Sequence, residues 1–318
     1  MAEKVLVTGA TGFIGAHLIE HLGTSRPGAR VTGTSRAADP AHNRRAARAK
    51  AELVALDMRK RASVERVVRK VRPDCIFHLA AQSLPTTSWE DPWYTLETNV
   101  VGTASLFEAV RSARLDPRIF VACSSAEYGL VPAGEVPVRE ERELKPLHPY
   151  GVSKVAQDLL AYQYFANYGT KVIRGRIFNT TGPRKTGDVL SDWTRRTVEL
   201  ERRGGGRLRV GNLKVMRDIA DVRDQVRAFD RSVDELKYGE AYNFARSSPY
   251  RVSDLLEVLV GKARVPVRPT VDKKLLRPTD EPVIWGDSTK MRRALGFKYA
   301  IPIEKTIEDM LRFWRASG

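Results

Sequence analysis

Residues Thr8-Gly9-Ala10-Thr11-Gly12-Phe13-Ile14-Gly15 constrain the fold more than any other stretch, because of what stands on either side of them. Lys4-Val5-Leu6-Val7 is a short aliphatic run with the character of a buried strand. From Phe13 to Leu22 the apolar residues recur at helical spacing (Phe13, Ile14, Leu18, Ile19, Leu22), and the run stops at Gly23. Strand, glycine turn and helix, in that order, make the context a dinucleotide-binding loop needs. Gly9 would form the tight turn, Gly12 would let the backbone approach a pyrophosphate, and Gly15 would let helix and sheet pack closely. The helix N-terminus would face the phosphates, with Thr11, Phe13 and Ile14 beside them.

The rest of the first half repeats the strand–helix rhythm. Strands are expected at Arg30–Arg36, Glu52–Asp57, Asp74–Gln82, Arg118–Cys123 and Lys171–Phe178. Helices are expected at Ala62–Val71, Asn99–Arg114 and from Tyr150 to Gly169. Short apolar strands alternating with helices predict an α/β fold with a doubly wound parallel sheet and helices on both faces. Ligands in such sheets bind beyond the strand carboxyl ends, where Asp57 and Met58, Leu79, Ala80 and Ala81, and Ser124 all fall. The second strand ends in Thr34-Ser35-Arg36, without the carboxylate that would hold a ribose 2′-hydroxyl. Arg36 could instead pair with a 2′-phosphate, which favours NADP(H) over NAD(H).

From Asn179 the rhythm breaks into short strands (Leu208–Val210, Tyr242–Phe244), helices (near Ser191–Arg202, then Val222–Leu236, Ser253–Gly261, Ile303–Arg315) and proline-rich turns. Residues 1–178 are therefore expected to form the dinucleotide-binding domain, with some later segments returning to it. Residues 179–318 would form mainly a smaller α+β substrate domain, with the substrate in the cleft between the two.

The net charge of +16 comes from scattered Lys and Arg, with small clusters at Arg44-Arg45-Ala46-Ala47-Arg48, Arg59-Lys60-Arg61 and Arg202, Arg203, Arg207 and Arg209. No nucleic-acid-binding motif accompanies them, so nucleic acid is not expected as a partner. A positive field suits an anionic substrate such as a nucleotide diphosphate. Cys75 and Cys123 both sit in apolar runs, as small core residues of a reduced, cytoplasmic protein do. There is no apolar run long enough for a membrane span, the first strand leaves no room for a signal peptide, and no metal site is expected.

Tyr150 and Lys154 stand four residues apart at a helix start, so both project from one face. A lysine charge beside a phenol is expected to lower its pKa and make it a usable acid or base near neutrality. Ser124, at a strand carboxyl end on the same side of the sheet, can hydrogen-bond the reacting oxygen.

With these residues in this order, the chain resembles an extended short-chain dehydrogenase/reductase over almost its whole length. The likeness rests on Gly9-x-x-Gly12-x-x-Gly15, His78-Leu79-Ala80-Ala81-Gln82, Thr98-Asn99-Val100-Val101-Gly102-Thr103, Ser124-Ser125 and Tyr150-x-x-x-Lys154. Within that family it is similar to the GDP-mannose 4,6-dehydratase and GDP-4-keto-6-deoxymannose reductase branch. Gly33–Arg36, Arg176–Pro183, Val210–Leu213, Arg217–Asp224 and Leu276–Val283 followed by Gly286-Asp287 carry the closer likeness. The resemblance implies a Rossmann fold and Ser124, Tyr150 and Lys154 as catalytic residues. It implies a nucleotide diphosphate sugar, GDP-linked by preference, held by Gln82, Ser83, Ser125, Glu127, Asn179, Val189, Arg217 and Arg277, with Asp280 in preference to Glu281 on the ribose. It also implies a homodimer through the Asn99–Arg114 and Tyr150–Gly169 helices.

One position divides the branch. Dehydratases of this type resemble one another in a Ser/Thr-Asp/Ser-Glu-x-Tyr-Gly segment, whose glutamate takes the C5 proton. Aligned on Tyr128-Gly129, this chain reads Ser124-Ser125-Ala126-Glu127, so the glutamate position is Ala126. Ala126 can transfer no proton, and it equally excludes the cysteine role of GDP-fucose-synthase-like enzymes. Glu127 is one residue late, and in extended backbone its side chain would point to the opposite side. The expected function is NADP(H)-dependent reduction of the C4 ketone of a nucleotide-linked 4-keto-6-deoxyhexose, such as GDP-4-keto-6-deoxy-D-mannose to GDP-D-rhamnose. The alternatives are a GDP-mannose 4,6-dehydratase, with Glu127 slipping into place, or a nucleotide-sugar 4-epimerase. From another class comes a nucleotide-sensing binding protein.

Overall fold

The computed structural model describes residues 2–36, 46, 48–276 and 281–317. The expected strands form as β1 (Lys4–Thr8), β2 (Arg30–Ser35), β3 (Ala51–Ala55), β4 (Cys75–His78), β5 (Arg118–Ser124) and β6 (Val172–Ile177). The chain then builds β7 (Asn179–Thr181), β8 (Gly206–Val210) and β9 (Met216–Asp221) before β10 (Ala241–Phe244) returns to the first sheet. The resulting seven-stranded sheet has the order β10-β6-β5-β4-β1-β2-β3 and is parallel throughout. The order reverses at β1, which pairs with β2 on one side and β4 on the other. A crevice opens at such a switch point, beyond the strand carboxyl ends.

The two-residue period of the strands divides the core into two layers. Val5, Val7, Cys75, Phe77 and Phe120 face one side and pack with Leu18 and Leu22 of the Phe13–Ser25 helix and with Phe229 and Val233 of the Val222–Glu235 helix. Leu6, Ile76, Ile119 and Val121 face the other side, against Val64, Val68, Leu106, Phe107 and Tyr164 of three further helices. Helices on both faces explain why these strands read as unbroken apolar runs.

The Tyr242–Phe244 strand, read from the sequence among the elements of the C-terminal half, is the edge of the large sheet, in register with Gly175–Ile177. Its attachment is aromatic. Phe120 stacks on Phe229 with centroids 4.5 Å apart and meets Phe244 edge-on at 5.4 Å. A smaller lobe has its own sheet, in which β9 pairs with β7, with β11 (Pro249–Arg251) and, beyond the Val267–Val271 strand β12, with β13 (Val283–Ile284). β12 itself pairs with β8. Leu190, Trp193, Val210, Ile219, Leu255, Leu259, Ile307 and Met310 make this lobe's core.

The helix expected from Asn99 opens differently. Glu97–Val101 forms a wide π turn that buries Thr98 and Asn99, and the regular α-helix runs from Gly102 to Ser112. Such turns are frequent where a side chain must be aimed at a site.

Because Phe120 joins β5 to both returning segments, Phe120→Ala should cost about 3–5 kcal/mol of unfolding free energy, as large buried aromatics do. A denaturant midpoint shift that corresponds to less than about 1 kcal/mol would show that the aromatic cluster is not what holds β10 in the sheet.

Candidate active site

The glycine loop leaves no space for a side chain at Gly9 or Gly15. Gly9 has φ +70, and a Cβ there would lie 2.9 Å from the Ala80 backbone. A Cβ on Gly15 would come within 2.2 Å of the Gly9 carbonyl oxygen. The Phe13–Ser25 helix starts with Gly12 as its N-cap, with no side-chain cap and no acidic residue in the first turn. Its first amides therefore point unscreened into the crevice, the arrangement that accepts a phosphate. The residues present fit a dinucleotide.

The crevice is a cavity of about 1170 Å³. Every expected dinucleotide contact lines it: Gly9, Thr11, Gly12, Phe13, Ile14, Gly15, Arg36, Asp57, Met58, Leu79, Ala80, Ala81, Tyr150 and Lys154. So do Ser124, Ser125, Ala126, Ser83, Asn179 and Arg217.

Tyr150 enters from the first turn of the Pro149–Tyr168 helix, whose N-cap is His148, its Nδ1 accepting from the Gly151 amide at 3.0 Å. The His148 ring also stacks beside Tyr150, with centroids 5.9 Å apart. Burial pushes the Tyr150 phenol up to about 12, while its hydrogen bond with Ser124 pulls the other way. Lys154 is buried, its Nζ donates to the Ala122 carbonyl at 2.8 Å, and it lies 5.7 Å from the Tyr150 ring centroid. Burial lowers this ammonium to about 8. The phenol is therefore raised where the sequence led us to expect it lowered: burial is the largest influence on it, and the lowering comes from Ser124.

A buried polar chain positions these groups. His78 Nε2 lies 2.9 Å and the Gln157 amide 2.6 Å from the Thr103 hydroxyl, which itself donates to the Asn99 carbonyl. With its proton spent on Asn99, Thr103 accepts from both, so His78 carries its proton on Nε2. His78 Nδ1 then accepts from Thr8 Oγ1 at 2.8 Å, and Thr8 Oγ1 accepts the Leu79 and Ala80 amides. Burial lowers the His78 imidazole to about 3, so it stays neutral. Asn99 continues the chain, bridging Gln82 to Ser153, whose hydroxyl donates to the Tyr150 carbonyl.

The family model described as GDP-mannose 4,6 dehydratase matches residues 6–310. The chain belongs to the GDP-mannose 4,6 dehydratase family. Among curated relatives it is 27% identical to the GDP-6-deoxy-D-mannose reductase of Pseudomonas aeruginosa, over 99% of this chain and 98% of that one. It is 29% identical to GDP-mannose 4,6 dehydratase 1 of Arabidopsis thaliana, over 96% and 88%. Among solved structures, RMD from Pseudomonas aeruginosa complexed with NADPH superposes with a TM-score of 0.84 at 26% identity, covering 98% of this chain and 99% of that one. The extended short-chain dehydrogenase/reductase resemblance therefore holds across both lobes.

Within this family fold, two expected substrate contacts are turned away from the cavity. Glu127 is fully buried. Ser125–Glu127 is a single 3-10 turn rather than extended backbone, so the side chain curls back to cap it. Its Oε1 accepts the Ser124 amide at 2.7 Å, and its Oε2 lies 3.4 Å from Arg176 Nε. Burial and the neighbouring Asp158 raise its pKa well above the carboxylate range, against the pull of Arg176. Gln82 is also buried, clamping the loop through Leu84, Thr95 and Asn99. Val189, in the first turn of the Val189–Arg202 helix, is not among the cavity-lining residues, while Arg277 and Asp280 lie outside the described residues.

The remaining pair converges. Asn179 Nδ2 donates to the Asp218 carbonyl at 3.2 Å, and Arg217 NH1 to the Glu281 carbonyl at 2.7 Å, both at the smaller lobe's edge of the cavity. Sequence reasoning assigned no role to His148 or Lys185. Both line the cavity, and Lys185 Nζ lies 4.9 Å from the Phe13 ring centroid. His148 carried a signal, a polar residue directly before Pro149 at a helix start.

Since the loop has no room at Gly15, Gly15→Ala should weaken dinucleotide binding by at least about tenfold, because displacing the first helical turn removes the phosphate's amide donors. Equilibrium titration of the variant followed by protein fluorescence checks this, and unchanged affinity would contradict the close approach.

Proposed function

We propose that this protein is an NADP(H)-dependent reductase acting on the C4 ketone of a nucleotide-linked 4-keto-6-deoxyhexose. GDP-4-keto-6-deoxy-D-mannose is the favoured substrate, and a GDP-6-deoxyhexose such as GDP-D-rhamnose is the product. The observation that carries the reading is the Ser124–Gly129 turn: Ala126 faces the cavity, while Glu127, the carboxylate of that turn, is sealed behind it. Dehydration needs a base for the C5 proton and an acid for the C6 hydroxyl, and a methyl group is neither. Ketone reduction needs only a hydride, an oxygen anchor and a proton. The GDP-6-deoxy-D-mannose reductase relative and the NADPH-bound structural neighbour support the same choice.

When bound, the reduced nicotinamide supplies the hydride. Ser124 Oγ accepts from the Ala126 amide at 3.2 Å, and its hydroxyl proton, which serves Tyr150 in the free site, turns to hold the ketone oxygen when substrate binds. Tyr150, protonated across the neutral range, donates its proton to that oxygen as charge develops there. Lys154, as a cation, stabilises the phenolate left behind, and the Ala122 carbonyl keeps its ammonium in place. Arg217 and Asn179 line the same cavity at the edge where a diphosphate would reach the smaller lobe.

We also propose a homodimer. Val152, Leu159 and Tyr162 form an exposed stripe along the catalytic helix, and Trp89, Trp93 and Val101 are exposed on the segments beside it. Apolar side chains grouped in this way mark a protein interface. Leu159→Glu should shift the mass in solution from dimer to monomer. A monomeric parent protein would remove this proposal.

Two reactions test the activity. NADPH should be consumed with GDP-4-keto-6-deoxymannose, and GDP-mannose with NADP⁺ should give no 4-keto product. A 4-keto product would make the protein a dehydratase. Tyr150→Phe should reduce kcat by roughly a hundredfold or more, the usual contribution of a positioned acid.

The lowered Lys154 also sets a pH profile. Its charge is present below about 8 and lost above it, so kcat/KM for reduction should fall as pH rises through that value. In Lys154→Arg the limb should vanish from the range below pH 10. If it stays near 8 in that variant, another group is titrating.

A further inference from the structure

One side chain on the cavity wall serves the scaffold with one nitrogen and leaves the other unspent. His148 lines the cavity directly before the helix that carries Tyr150. Its ring lies 5.9 Å from the Tyr150 ring and nearly parallel to it, at 19°. Gly151 sets this end of the helix against the Ser124–Gly129 turn. A Cβ there would lie 2.8 Å from the Ala126 carbonyl oxygen and 3.5 Å from His148 Cε1. The imidazole thus borders the phenol and the same helix residue that Ala126 borders, within the cavity that Ser124, Ser125 and Ala126 also line.

His148 Nδ1 accepts the Gly151 amide at 3.0 Å, one of the first-turn amides that a helix leaves without an internal partner. A proton on Nδ1 would meet that N–H donor to donor, so the cap fixes the ring proton on Nε2. Burial holds the imidazole below its ordinary value, and the ring is neutral. Nε2 makes no hydrogen bond to the described residues and is not sealed from solvent. A substrate that fills the cavity expels the water on such a donor, which must then find an acceptor on the substrate or lose its hydration unpaired. We propose that His148 is a substrate-binding residue whose Nε2–H donates to an oxygen of the sugar, beside the carbon that Tyr150 serves. Because Nε2 already bears its proton and the cap occupies Nδ1, His148 supplies no base for C5. It anchors the hexose, while Tyr150 and Ser124 hold the reacting oxygen.

This inference rests on the reading of the cavity as a sugar-nucleotide site, and direct binding separates it from the reductase assignment. Dissociation constants of GDP-mannose and GDP are measured calorimetrically on the full chain with NADPH present, for the parent, His148→Asn and His148→Gln. Asn carries its amide oxygen as far from the backbone as Nδ1, so it keeps the cap and has nothing at the reach of Nε2. Gln carries an amide N–H at that reach and is a poor cap. His148→Asn should weaken GDP-mannose by roughly three- to tenfold, the worth of one neutral hydrogen bond, and leave GDP within about twofold. Its melting temperature should match the parent's. His148→Gln should bind GDP-mannose nearly as the parent does and melt lower. If His148→Asn binds GDP-mannose as tightly as the parent, the histidine is a cap only and the proposal is overturned. A Gln variant as weak as Asn overturns the donor role as well. If the parent consumes no NADPH with GDP-4-keto-6-deoxymannose while His148→Asn still weakens GDP-mannose alone, the reductase reading falls and the His148 contact stands.

Discussion

The Thr103 hydroxyl is the hinge of this architecture. It lies fully buried, and it spends its one proton and both lone pairs on Asn99 of the π turn, His78 of β4 and Gln157 of the Pro149–Tyr168 helix. A buried hydroxyl left short of partners costs on the order of 1–3 kcal/mol, so the three elements that supply those partners are held to one mutual geometry. One end of the chain of bonds is Thr8, at the mouth of the glycine loop. The other end is the Tyr150 carbonyl, reached through Asn99 and Ser153. The glycine loop and the helix that carries Tyr150 are thereby tied together through the protein's interior.

A second buried polar assembly ties the helix that carries Lys154 to β10 and to the segments at Val138 and Asp287. Asp158 lies one turn beyond Lys154 and is fully buried between Arg174 and Arg176. Arg176 reaches on to the Tyr128 hydroxyl and the Glu140 carbonyl, and Tyr128 donates to Asn243 on β10. Asn243 in turn holds the Val138 and Asp287 carbonyls. Removing one member of such a set leaves a charge stranded in the interior, which is why the whole set acts as a unit. Glu127 belongs to this assembly and does not line the cavity. The same turn that shows Ala126 to the cavity directs Glu127 inward to cap Ser124. Chemistry and scaffold are therefore divided within two adjacent residues.

Much of this was legible in the chain itself. Local spacing alone identified the glycine loop, the alternating strands and helices, and the Tyr150–Lys154 pair, since each rests on contacts within a few residues. The end of the fifth strand pointed to Ser124, and resemblance added Asn179 and Arg217; all three line one cavity. What failed depended on local backbone shape or on distant partners. Glu127, expected among the substrate contacts, is buried because its partners are the Ser124 amide and Arg176, the latter almost fifty residues away. Gln82 was misjudged because its partners Thr95 and Asn99 lie more than ten residues away. The sign of the Tyr150 shift was wrong because burial, the largest influence on the phenol, is a tertiary quantity.

By itself the amino-acid order determined the parallel sheet, its switch point and the class of ligand, because glycine sterics and strand periodicity act locally and admit few alternatives. Tertiary structure alone decided which side chains meet. It joined Arg36 and Arg59 across Tyr94 from three separate segments, paired Asp57 with Arg59, and buried Glu127 against Arg176. Those pairings follow from how the strands stack side by side and how the helices close over them. No spacing along the chain encodes such distances.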